Sequence, residues 1–307
     1  MDVSVIIINY NTYQLTTDCI KSVMEKTSGL AFEIILVDNA STETDPQFFA
    51  DLFPEITLVK SPKNLGFAGG NNLGISHSTG EYILLLNSDT ELVNNAIYLS
   101  WMRIKQDASI GALSSKLLYP DGRMQHVASK FMTLGHEVRE IFRLNSRQSL
   151  EKQVDIYLGD RFNHTEEKFV DWVWGTFFLF PRTLLSRFKE VLPDQSEPKL
   201  PDHFFMYVED MQWCFYIQKL GYRILYYPEA EVIHHIGGSK KKAQNPDPQA
   251  GLKKILPNQY KFMRMAHGKI YASAFFWARV LLLLSLRTEK SNAEAAAYLD
   301  LLKGRLK

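Results

Sequence analysis

The sequence predicts an α/β fold: a mostly parallel β-sheet with helices on both faces, followed by a C-terminal helical extension. Two observations predict it. Apolar, β-branched runs typical of strands covered on both faces alternate with segments of helical periodicity. Polar residues also come directly after several of these runs, and the carboxyl ends of parallel strands form the ligand crevice of such folds.

The first strand and helix illustrate the alternation. Val3–Ile8 is a β-branched run, and apolar residues then recur at helical spacing from Leu15 to Met24. Asn11 or Thr12 offers an N-cap for this helix, because both residue types accept hydrogen bonds from free backbone N–H groups.

Three further strands follow, with a helix before the last of them. The strands are predicted over Glu33–Val37, Thr57–Val59 and Tyr82–Leu86, and Asn71–Ser78 is predicted to be part of a helix that ends at Gly80. Right-handed crossovers bring the carboxyl ends of these strands to one edge of the sheet. The polar residues expected at this edge are Asn9-Tyr10-Asn11, Asp38-Asn39 and Asn87-Ser88-Asp89.

The second half of the chain is less regular. The charged segment from Pro120 to Val170 predicts loops and short helices, and Asp171–Phe180 predicts an apolar, aromatic strand. Glu209–Leu220 predicts an amphipathic helix, and Ile224–Tyr227 another strand. The polar Ser239–Gln249 predicts a mobile loop or linker before C-terminal helices.

Composition excludes several classes of protein. The chain has 307 residues, 35 Lys and Arg against 34 Asp and Glu, and a net charge of +1, so it is neither disordered as a whole nor an evident nucleic-acid binder. Cys19 and Cys214 are far apart, which excludes a disulfide framework and a cysteine zinc site. The N-terminal Met-Asp-Val-Ser lacks the basic region of a signal peptide, so we expect a cytoplasmic location.

Asn87-Ser88-Asp89 is the first motif that carries chemistry. A carboxylate at the end of a buried strand suits Mg²⁺ or Mn²⁺, which take oxygen ligands and bridge carboxylates to phosphates. Asp89 would equally well serve as the N-cap of a following helix.

The segment from Asn64 to Asn72 is a glycine-rich loop that opens a helix. Glycines allow a ligand to approach the backbone, and helix N-termini attract phosphate. A tight turn that needs positive φ explains the same glycines without a ligand.

Two other groups of polar residues lie later in the chain. Glu209-Asp210 begins a predicted helix, whose dipole favours the ionised carboxylates, and an ionised carboxylate can act as a general base. Plain capping is the alternative. His234-His235 follows a strand-like segment, so one of the two imidazoles is expected to face a given site. Trp172 and Trp174 could stack on sugar rings or belong to the core.

Taken together, the motifs resemble family 2 glycosyltransferases of the rhamnosyltransferase-like branch. The matching segments are VSVIIINYN, EIILVDNAST, NLGFAGGNNLGI, YILLLNSDTEL, VDWVWGTFFLFPR and FFMYVEDMQWCFYIQKLGYRILYYPEAEVIHHIGGS. The resemblance covers residues 3–239. It departs from the family where the Asp-x-Asp motif is reduced to Asn87-Ser88-Asp89, which leaves Asp89 as the one full carboxylate ligand.

The resemblance implies a GT-A fold and an inverting transfer from a nucleotide-diphosphate sugar. It implies a glycosyltransferase domain over 1–239, with a nucleotide-sugar-binding half at 1–118 and an acceptor half at 119–239, before a linker and helices at 240–307. The implied donor is dTDP-L-rhamnose or a UDP-sugar. The implied acceptor is a glycan or lipid-linked glycan of a bacterial envelope or capsule, selected by the segment 120–170.

The resemblance also implies roles for individual residues. Asp89 and His234 would hold Mg²⁺ or Mn²⁺ on the diphosphate. Asp210 would be the general base, and Glu209 would support it. The nucleotide-sugar site would be formed by Tyr10, Asp38, Asn64, Gly66, Asn72, Ser88 and Asp89, with Tyr10 against the base and Asp38 accepting from N3–H of uracil or thymine.

Two alternatives remain open at this point. A nucleotidyltransferase also uses an acidic metal site on a Rossmann-like sheet, although Asn9-Tyr10-Asn11-Thr12 replaces its usual glycine-rich loop. A non-catalytic nucleotide-sugar-binding subunit of a glycan assembly complex is the other.

The apolar stretch Ala274–Leu286 is the one membrane-like segment. It contains Arg279 and is too short to span a bilayer, which needs about 20 apolar residues. It is expected either to pack as a core or homodimer helix, or to lie in the interface of the membrane's inner face. In the second case, Arg264, Lys269, Arg279 and Arg287 would meet anionic head groups.

Overall fold

The computed structural model describes residues 1–144, 158, 162–236 and 249–306. Within these ranges the chain forms two compact units. The first contains residues 1–129 and 162–236, and the second contains residues 130–144, 158 and 249–306. The predicted linker lies outside the described residues except for Gln249, as does the predicted boundary after residue 239. Both stay predictions, as do the two halves of the glycosyltransferase domain.

The first unit is built on strands. Those described are β1 (Val3–Asn9), β2 (Phe32–Asp38), β3 (Thr57–Lys60), β4 (Tyr82–Asn87), β5 (Thr90–Leu92), β6 (Ile110–Leu118), β7 (Met124–Gln125), β8 (Ala128–Ser129), β9 (Lys168–Val170), β10 (Trp172–Val173), β11 (Phe177–Pro181) and β12 (Arg223–His234). The main sheet has the order β3-β2-β1-β4-β11-β6-β12-β5, with β7 on β6 and β9 on β12. Strands β8 and β10 pair separately.

Helices cover this sheet and form the second unit. Those described are α1 (Tyr13–Lys26), α2 (Gln47–Leu52), α3 (Gly66–Ser76), α4 (Ala96–Lys105), α5 (Leu134–Ile141), α6 (Thr183–Arg187), α7 (Glu209–Lys219), α8 (Ala250–His267), α9 (Lys269–Leu286) and α10 (Glu289–Leu302). A 3₁₀ turn, Phe188–Glu190, follows α6.

The four strands predicted in the first half are all present and mutually parallel. Strand β1 pairs in parallel with β2 and β4, and β2 pairs in parallel with β3. Val5, Ile6 and Ile7 are completely buried. A strand covered on both faces loses its apolar–polar alternation, which is why these runs are continuously apolar.

The other half of the sheet is mixed rather than parallel. Strand β11 is antiparallel to β4 and β6, whereas β12 runs parallel to β6 and antiparallel to β5. The prediction of a single strand over Asp171–Phe180 is wrong, because residues 174–176 separate two strands, β10 and β11. There the Gly175 N–H donates to Asp210, and the Thr176 carbonyl accepts from Asn87.

Two helix starts differ from their predictions. Thr12 does occupy the N-cap position of α1, but its side chain does not cap the helix and bonds elsewhere. The glycine-rich segment predicted as a loop is itself helical from Gly66, and helix α3 ends at Ser76 rather than at the predicted Gly80. Cys19 on α1 and Cys214 on α7 are completely buried.

In the second unit, α9 packs against α5, α8 and α10. Arg279 donates to the buried Glu137 of α5 at 2.6 Å, so the prediction that Arg279 meets lipid head groups is wrong. Burial raises the pKa of Glu137 to about 7, against the opposing effect of the Arg279 charge. The helix extends beyond the stretch predicted from its apolar residues. With 18 residues and a mean hydropathy of 1.5, it is long and apolar enough to span a membrane, as some core helices also are.

Candidate active site

Polar side chains meet at the carboxyl ends of β1 and β2. The Asn9 amide donates to Asp38 Oδ2 at 2.9 Å, and the Ser41 N–H donates to Asp38 Oδ1 at 3.1 Å. Asp38 is only 2% exposed, whereas its neighbour across the strand ends, Tyr10, is 39% exposed. The predicted base-binding pair therefore consists of a fixed carboxylate and an accessible ring.

The same network continues to the end of β4. Asn9 Oδ1 accepts hydrogen bonds from the hydroxyls of Thr12 at 3.2 Å and Thr16 at 3.0 Å, and Thr12 shares a 3.1 Å hydrogen bond with Ser88. Asp38 and Ser88 are thus connected through Asn9 and Thr12. Sequence reasoning placed Asn9 at a polar strand end and gave Thr12 as a candidate N-cap, but it did not predict that the two residues connect Asp38 to Ser88.

The predicted metal pair comes together at the junction of β5 and β12. These strands are antiparallel and place His234 opposite Thr90, next to Asp89. His234 Nε2 lies 3.3 Å from Asp89 Oδ1. The alternative that Asp89 caps a helix is wrong, because β5 follows it and Asn95 occupies the N-cap position of the next helix. His235 instead contacts Glu91 Oε1 at 2.6 Å.

Gln125, which sequence reasoning missed, fixes the orientation of His234. The side-chain amide of Gln125 donates to the carbonyls of His234 at 2.8 Å and Leu118 at 3.2 Å. Its Oε1 must therefore be the acceptor for His234 Nδ1–H, at 2.8 Å. In the neutral imidazole this leaves Nε2 as the unprotonated nitrogen, and Nε2 faces Asp89. The signal in the sequence was weak, since Gln125 lies in the irregular 120–170 segment.

These donors suit a hard divalent cation shared with a ligand. A carboxylate oxygen and an imidazole lone pair face one another, and nearby Asn87 Oδ1 is buried with no hydrogen-bond partner among the described residues. No cluster of three His, Cys, Asp or Glu side chains arranged for a metal occurs in the described part of the chain. Mg²⁺ and Mn²⁺ commonly take few protein ligands and complete their shell with phosphate oxygens.

Asp210 lies at the start of α7. Its Oδ2 accepts the Gly175 N–H at 3.2 Å and its Oδ1 accepts the Met211 N–H at 2.8 Å. Each carboxylate oxygen keeps a second lone pair for a further donor. Two successive residues before the helix, Tyr207 and Val208, have left-handed backbones with φ of 71° and 78°. This conformation is costly for a β-branched residue, and strain of this kind concentrates at functional sites.

Glu209 is buried beside Asp210, and its Oε2 has no hydrogen-bond partner among the described residues. Burial raises the pKa of both carboxyls, and the charge of Asp210 raises the pKa of Glu209 further. The prediction that the helix dipole favours the ionised pair is therefore wrong: desolvation outweighs it. A carboxylate with a raised pKa is a stronger base.

The glycine-rich segment packs against the chain that leads to Asp210. Gly66 has φ of +72°, and a Cβ there would collide with the Phe205 carbonyl oxygen. The Phe67 N–H donates to this same oxygen at 2.9 Å. Asn64 Oδ1 accepts the Gly66 N–H at 2.8 Å, which closes the turn. The interpretation of Gly66 as a residue needing positive φ is confirmed.

Asn72 adds a second connection to this chain. Its side-chain amide both donates to and accepts from the backbone of Leu200, each at 2.9 Å. Trp213 of α7 donates to the Pro201 carbonyl at 2.8 Å, and its ring stacks on Phe67 with centroids 5.9 Å apart. Helices α3 and α7, which carry the predicted donor loop and the predicted base, are thus tied together through residues 200–205.

Trp174 and Gly175 connect the other two parts of the site. The Trp174 ring lies edge-on to the His234 imidazole with centroids 6.4 Å apart, and the next residue donates its N–H to Asp210. The break in the strand pattern thus places one short segment between the predicted metal pair and the predicted base.

Comparisons with known proteins identify the family of this chain. A family profile described as "Glycosyl transferase family 2" matches residues 4–159. The O-antigen biosynthesis protein RfbC of Myxococcus xanthus is 23% identical over 80% of the chain and 18% of its own length. The N-acetylglucosaminyl-diphospho-decaprenol L-rhamnosyltransferase of Mycobacterium tuberculosis is 24% identical over 80% of the chain and 78% of its own length.

A solved structure shows the same fold. The mannosyltransferase PcManGT of Pyrobaculum calidifontis, in complex with GDP-Man and Mn²⁺, superposes with a TM-score of 0.55 at 18% identity, covering 99% of this chain and 79% of that one. The chain spans about a quarter or less of two of its curated relatives.

Proposed function

The chain belongs to glycosyltransferase family 2 and has the GT-A fold that the sequence predicts, and from that premise we propose that it is an inverting glycosyltransferase of glycan biosynthesis. It takes a sugar from a nucleotide-diphosphate donor to a hydroxyl of a glycan or lipid-linked glycan. The observation that carries the proposal is the short Trp174-Gly175 segment, which touches both the His234–Asp89 pair and Asp210. One site therefore offers both a place for a diphosphate and a base.

On the donor side, Tyr10 lies against the nucleobase and Asp38 accepts from its N3–H. The fixed position of Asp38, held by Asn9 and Ser41, supports this role, because a pre-oriented acceptor selects a base by its hydrogen-bonding edge. Uracil and thymine share that edge, so dTDP-L-rhamnose and UDP-sugars both fit. The rhamnosyltransferase among the relatives favours the former.

Asp89 and His234 would hold Mg²⁺ or Mn²⁺ on the diphosphate, with Asn87 Oδ1 as a further oxygen donor. When bound, the cation supplies charge neutralisation for the departing nucleoside diphosphate. Ser88 and the N-terminus of α3 with Asn64, Gly66 and Asn72 complete the cradle for the donor. The Mn²⁺ in the PcManGT complex supports a metal in this fold.

On the acceptor side, Asp210 takes the proton of the attacking hydroxyl. The hydroxyl oxygen forms a bond to the anomeric carbon, the bond from that carbon to the diphosphate oxygen breaks, and the configuration inverts. Burial raises the pKa of Asp210 and so its affinity for this proton, while burial and the charge of Asp210 raise the pKa of the adjacent Glu209 to about 8. The segment 120–170, proposed to select the acceptor, lies partly outside the described residues.

The test is direct. The protein is incubated with dTDP-L-rhamnose, UDP-sugars and GDP-sugars, with Mn²⁺ and then with EDTA, and both melting temperature and release of nucleoside diphosphate are measured. A donor that binds the folded state raises its melting temperature. We expect one uracil or thymine donor to do so with Mn²⁺ only, and the product to show the inverted anomeric coupling in proton NMR. Turnover undiminished in EDTA would exclude the metal, and retained configuration would exclude the proposed geometry.

A further inference from the structure

The two compact units carry large and opposite charges. Over residues 130–161 and 241–307, which make up the second unit, 19 Lys and Arg stand against 9 Asp and Glu, a net charge of +10. Over residues 1–129 and 162–240, 16 Lys and Arg stand against 25 Asp and Glu, a net charge of −9. The near-neutral total of the chain hides a strongly basic helical unit.

The same unit exposes an apolar stripe. Ile270, Trp277, Leu281 and Leu284 on α9 are 88%, 48%, 58% and 45% exposed. Their spacings of seven, four and three residues place them on one face of the helix, and we call these four residues the α9 stripe. Other apolar residues of α9, such as Phe276 and Leu283, are buried in the second unit. Helix α9 is therefore apolar on both faces, and only one of them is covered.

Cationic residues flank this stripe. Lys269 and Arg287 lie at the two ends of α9, are exposed, and form no ion pair with any described residue. Arg279, by helical spacing, projects from the side opposite the stripe, where it meets Glu137. The charge of Arg279 in the middle of the helix therefore lies away from the α9 stripe, and the charges of Lys269 and Arg287 lie at the two ends of the helix.

We propose that the α9 stripe docks the protein onto an anionic lipid bilayer, with α9 lying in the plane of the interface. Apolar side chains enter the acyl boundary while Lys and Arg meet the head groups. Nucleic acid explains the pattern less well, because it would bind the positive charge of the second unit but leave the apolar α9 stripe exposed to water. A span is disfavoured, because one face of α9 is occupied by protein and carries Arg279 in an ion pair with Glu137.

Co-sedimentation with vesicles tests this docking without donor, metal or acceptor, so its result is independent of the proposed function. Vesicles of equimolar phosphatidylcholine and phosphatidylglycerol should bind the full chain in a salt-sensitive manner, and phosphatidylcholine alone much less. The combined change Trp277→Ser, Leu281→Ser and Leu284→Ser should weaken binding more than about tenfold. Lys269→Gln with Arg287→Gln should weaken it about fivefold per charge.

The matched control changes three exposed apolar residues of the first unit, Leu52→Ser, Val93→Ser and Met102→Ser, and should bind like the parent. Melting curves show that each variant folds. Recovery of the parent chain in the supernatant at low salt overturns the proposal. A stripe variant that binds vesicles as well as the parent also overturns it. If such a variant changes from dimer to monomer in light scattering, the stripe is a self-interface. If it retains heparin binding, the basic unit binds polyanions without the stripe.

Discussion

The two units differ in what they leave without a partner. In the first unit the unpartnered groups that matter are polar and buried: Asn87 Oδ1 and Glu209 Oε2 lie at strand and helix ends with no described hydrogen-bond partner. In the second unit Glu137 Oε2 and Arg279 Nε are also buried with no described hydrogen-bond partner, but these two residues form an ion pair, and the large unpartnered groups are the exposed apolar side chains of the α9 stripe. A buried polar atom without a partner is destabilising unless a ligand satisfies it, and an exposed apolar stripe is destabilising unless a surface covers it. This difference fits the small polar ligand proposed for the first unit and the lipid surface proposed for the second.

Two buried glutamates sharpen the contrast. Glu137 in the second unit is neutralised locally by Arg279, with which it forms a 2.6 Å ion pair. Glu209 in the first unit has no cationic partner among the described residues, and its nearest charge is the like charge of Asp210. An acid held without a counter-charge is suited to proton transfer, whereas a paired acid is suited to holding helices together.

The largest effect is expected at Asp210. The change Asp210→Asn removes the base but keeps only one of the two acceptors for the Gly175 and Met211 N–H groups, because the Asn side chain has a single amide oxygen. Transfer should fall on the order of 10²–10⁴-fold while donor affinity is unchanged. Turnover and donor affinity measured on the same preparation check this. Near-normal turnover would mean that the buried acids of the first unit serve packing, as Glu137 does.

A smaller loss is expected at Gln125. The change Gln125→Met keeps the volume but frees the His234 ring, and should weaken Mn²⁺ binding about 10–100-fold, the usual effect of removing a group that orients a metal ligand. Mn²⁺ affinity by EPR measures this, and ¹⁵N shifts of the imidazole report which nitrogen carries the proton.

Gln212→Met is the matched control, because Gln212 is equally buried and also bonded to a histidine, His203. It should leave Mn²⁺ affinity unchanged. Equal losses in both variants would point to general loosening of the first unit and remove Gln125 from the metal site.

The connection between α3 and α7 is tested at Gly66. Gly66→Ala should destabilise the fold by about 1–3 kcal/mol for the left-handed backbone alone, with more for the collision with Phe205. Gly122→Ala isolates the first part, since Gly122 has φ of +83° and open space around it. Chemical unfolding of both variants should therefore show a larger loss at Gly66. Equal losses would mean that the Phe205 contact relaxes easily.

The smallest effect concerns the pH dependence of stability. Because its pKa in the folded state lies above the ordinary 4.5, Glu209 binds a proton more tightly in the folded than in the unfolded chain. The stability it contributes is present below 4.5 and is lost as pH rises through the raised pKa. Glu209→Gln should therefore raise the melting temperature at neutral pH and flatten its fall with pH.

Glu137→Gln gives the comparison from the second unit. It should gain less, because it also removes the ion pair with Arg279. A Glu209→Gln variant that melts lower than the parent at neutral pH would contradict the account of an uncompensated acid.

Strands and strand ends were predictable, whereas the connections between them were not. Val3–Asn9 was predictable because full burial demands a continuous apolar run, and Asp89 comes shortly after such a run. His234 ends a strand whose last residues alternate between buried and partly exposed positions. The break at Trp174-Gly175 and the role of Gln125 depend on hydrogen bonds to residues 35 and 109 positions away, and local composition carries no trace of those. The sign of the pKa shift at Glu209 was missed for the same reason, since burial is a property of the whole fold.

The two buried thiols have a practical consequence. Cys19 on α1 and Cys214 on α7 fall in the predicted nucleotide and acceptor halves, and burial raises the pKa of the Cys19 thiol to about 12 and that of Cys214 as well. Alkylating reagents attack the thiolate, so each sulfur reacts only while its surroundings are transiently open. The alkylation rate of each thiol therefore reports local unfolding of its surroundings. Followed separately by mass spectrometry, the two rates measure how often each half opens and whether a bound donor slows labelling of one thiol or of both.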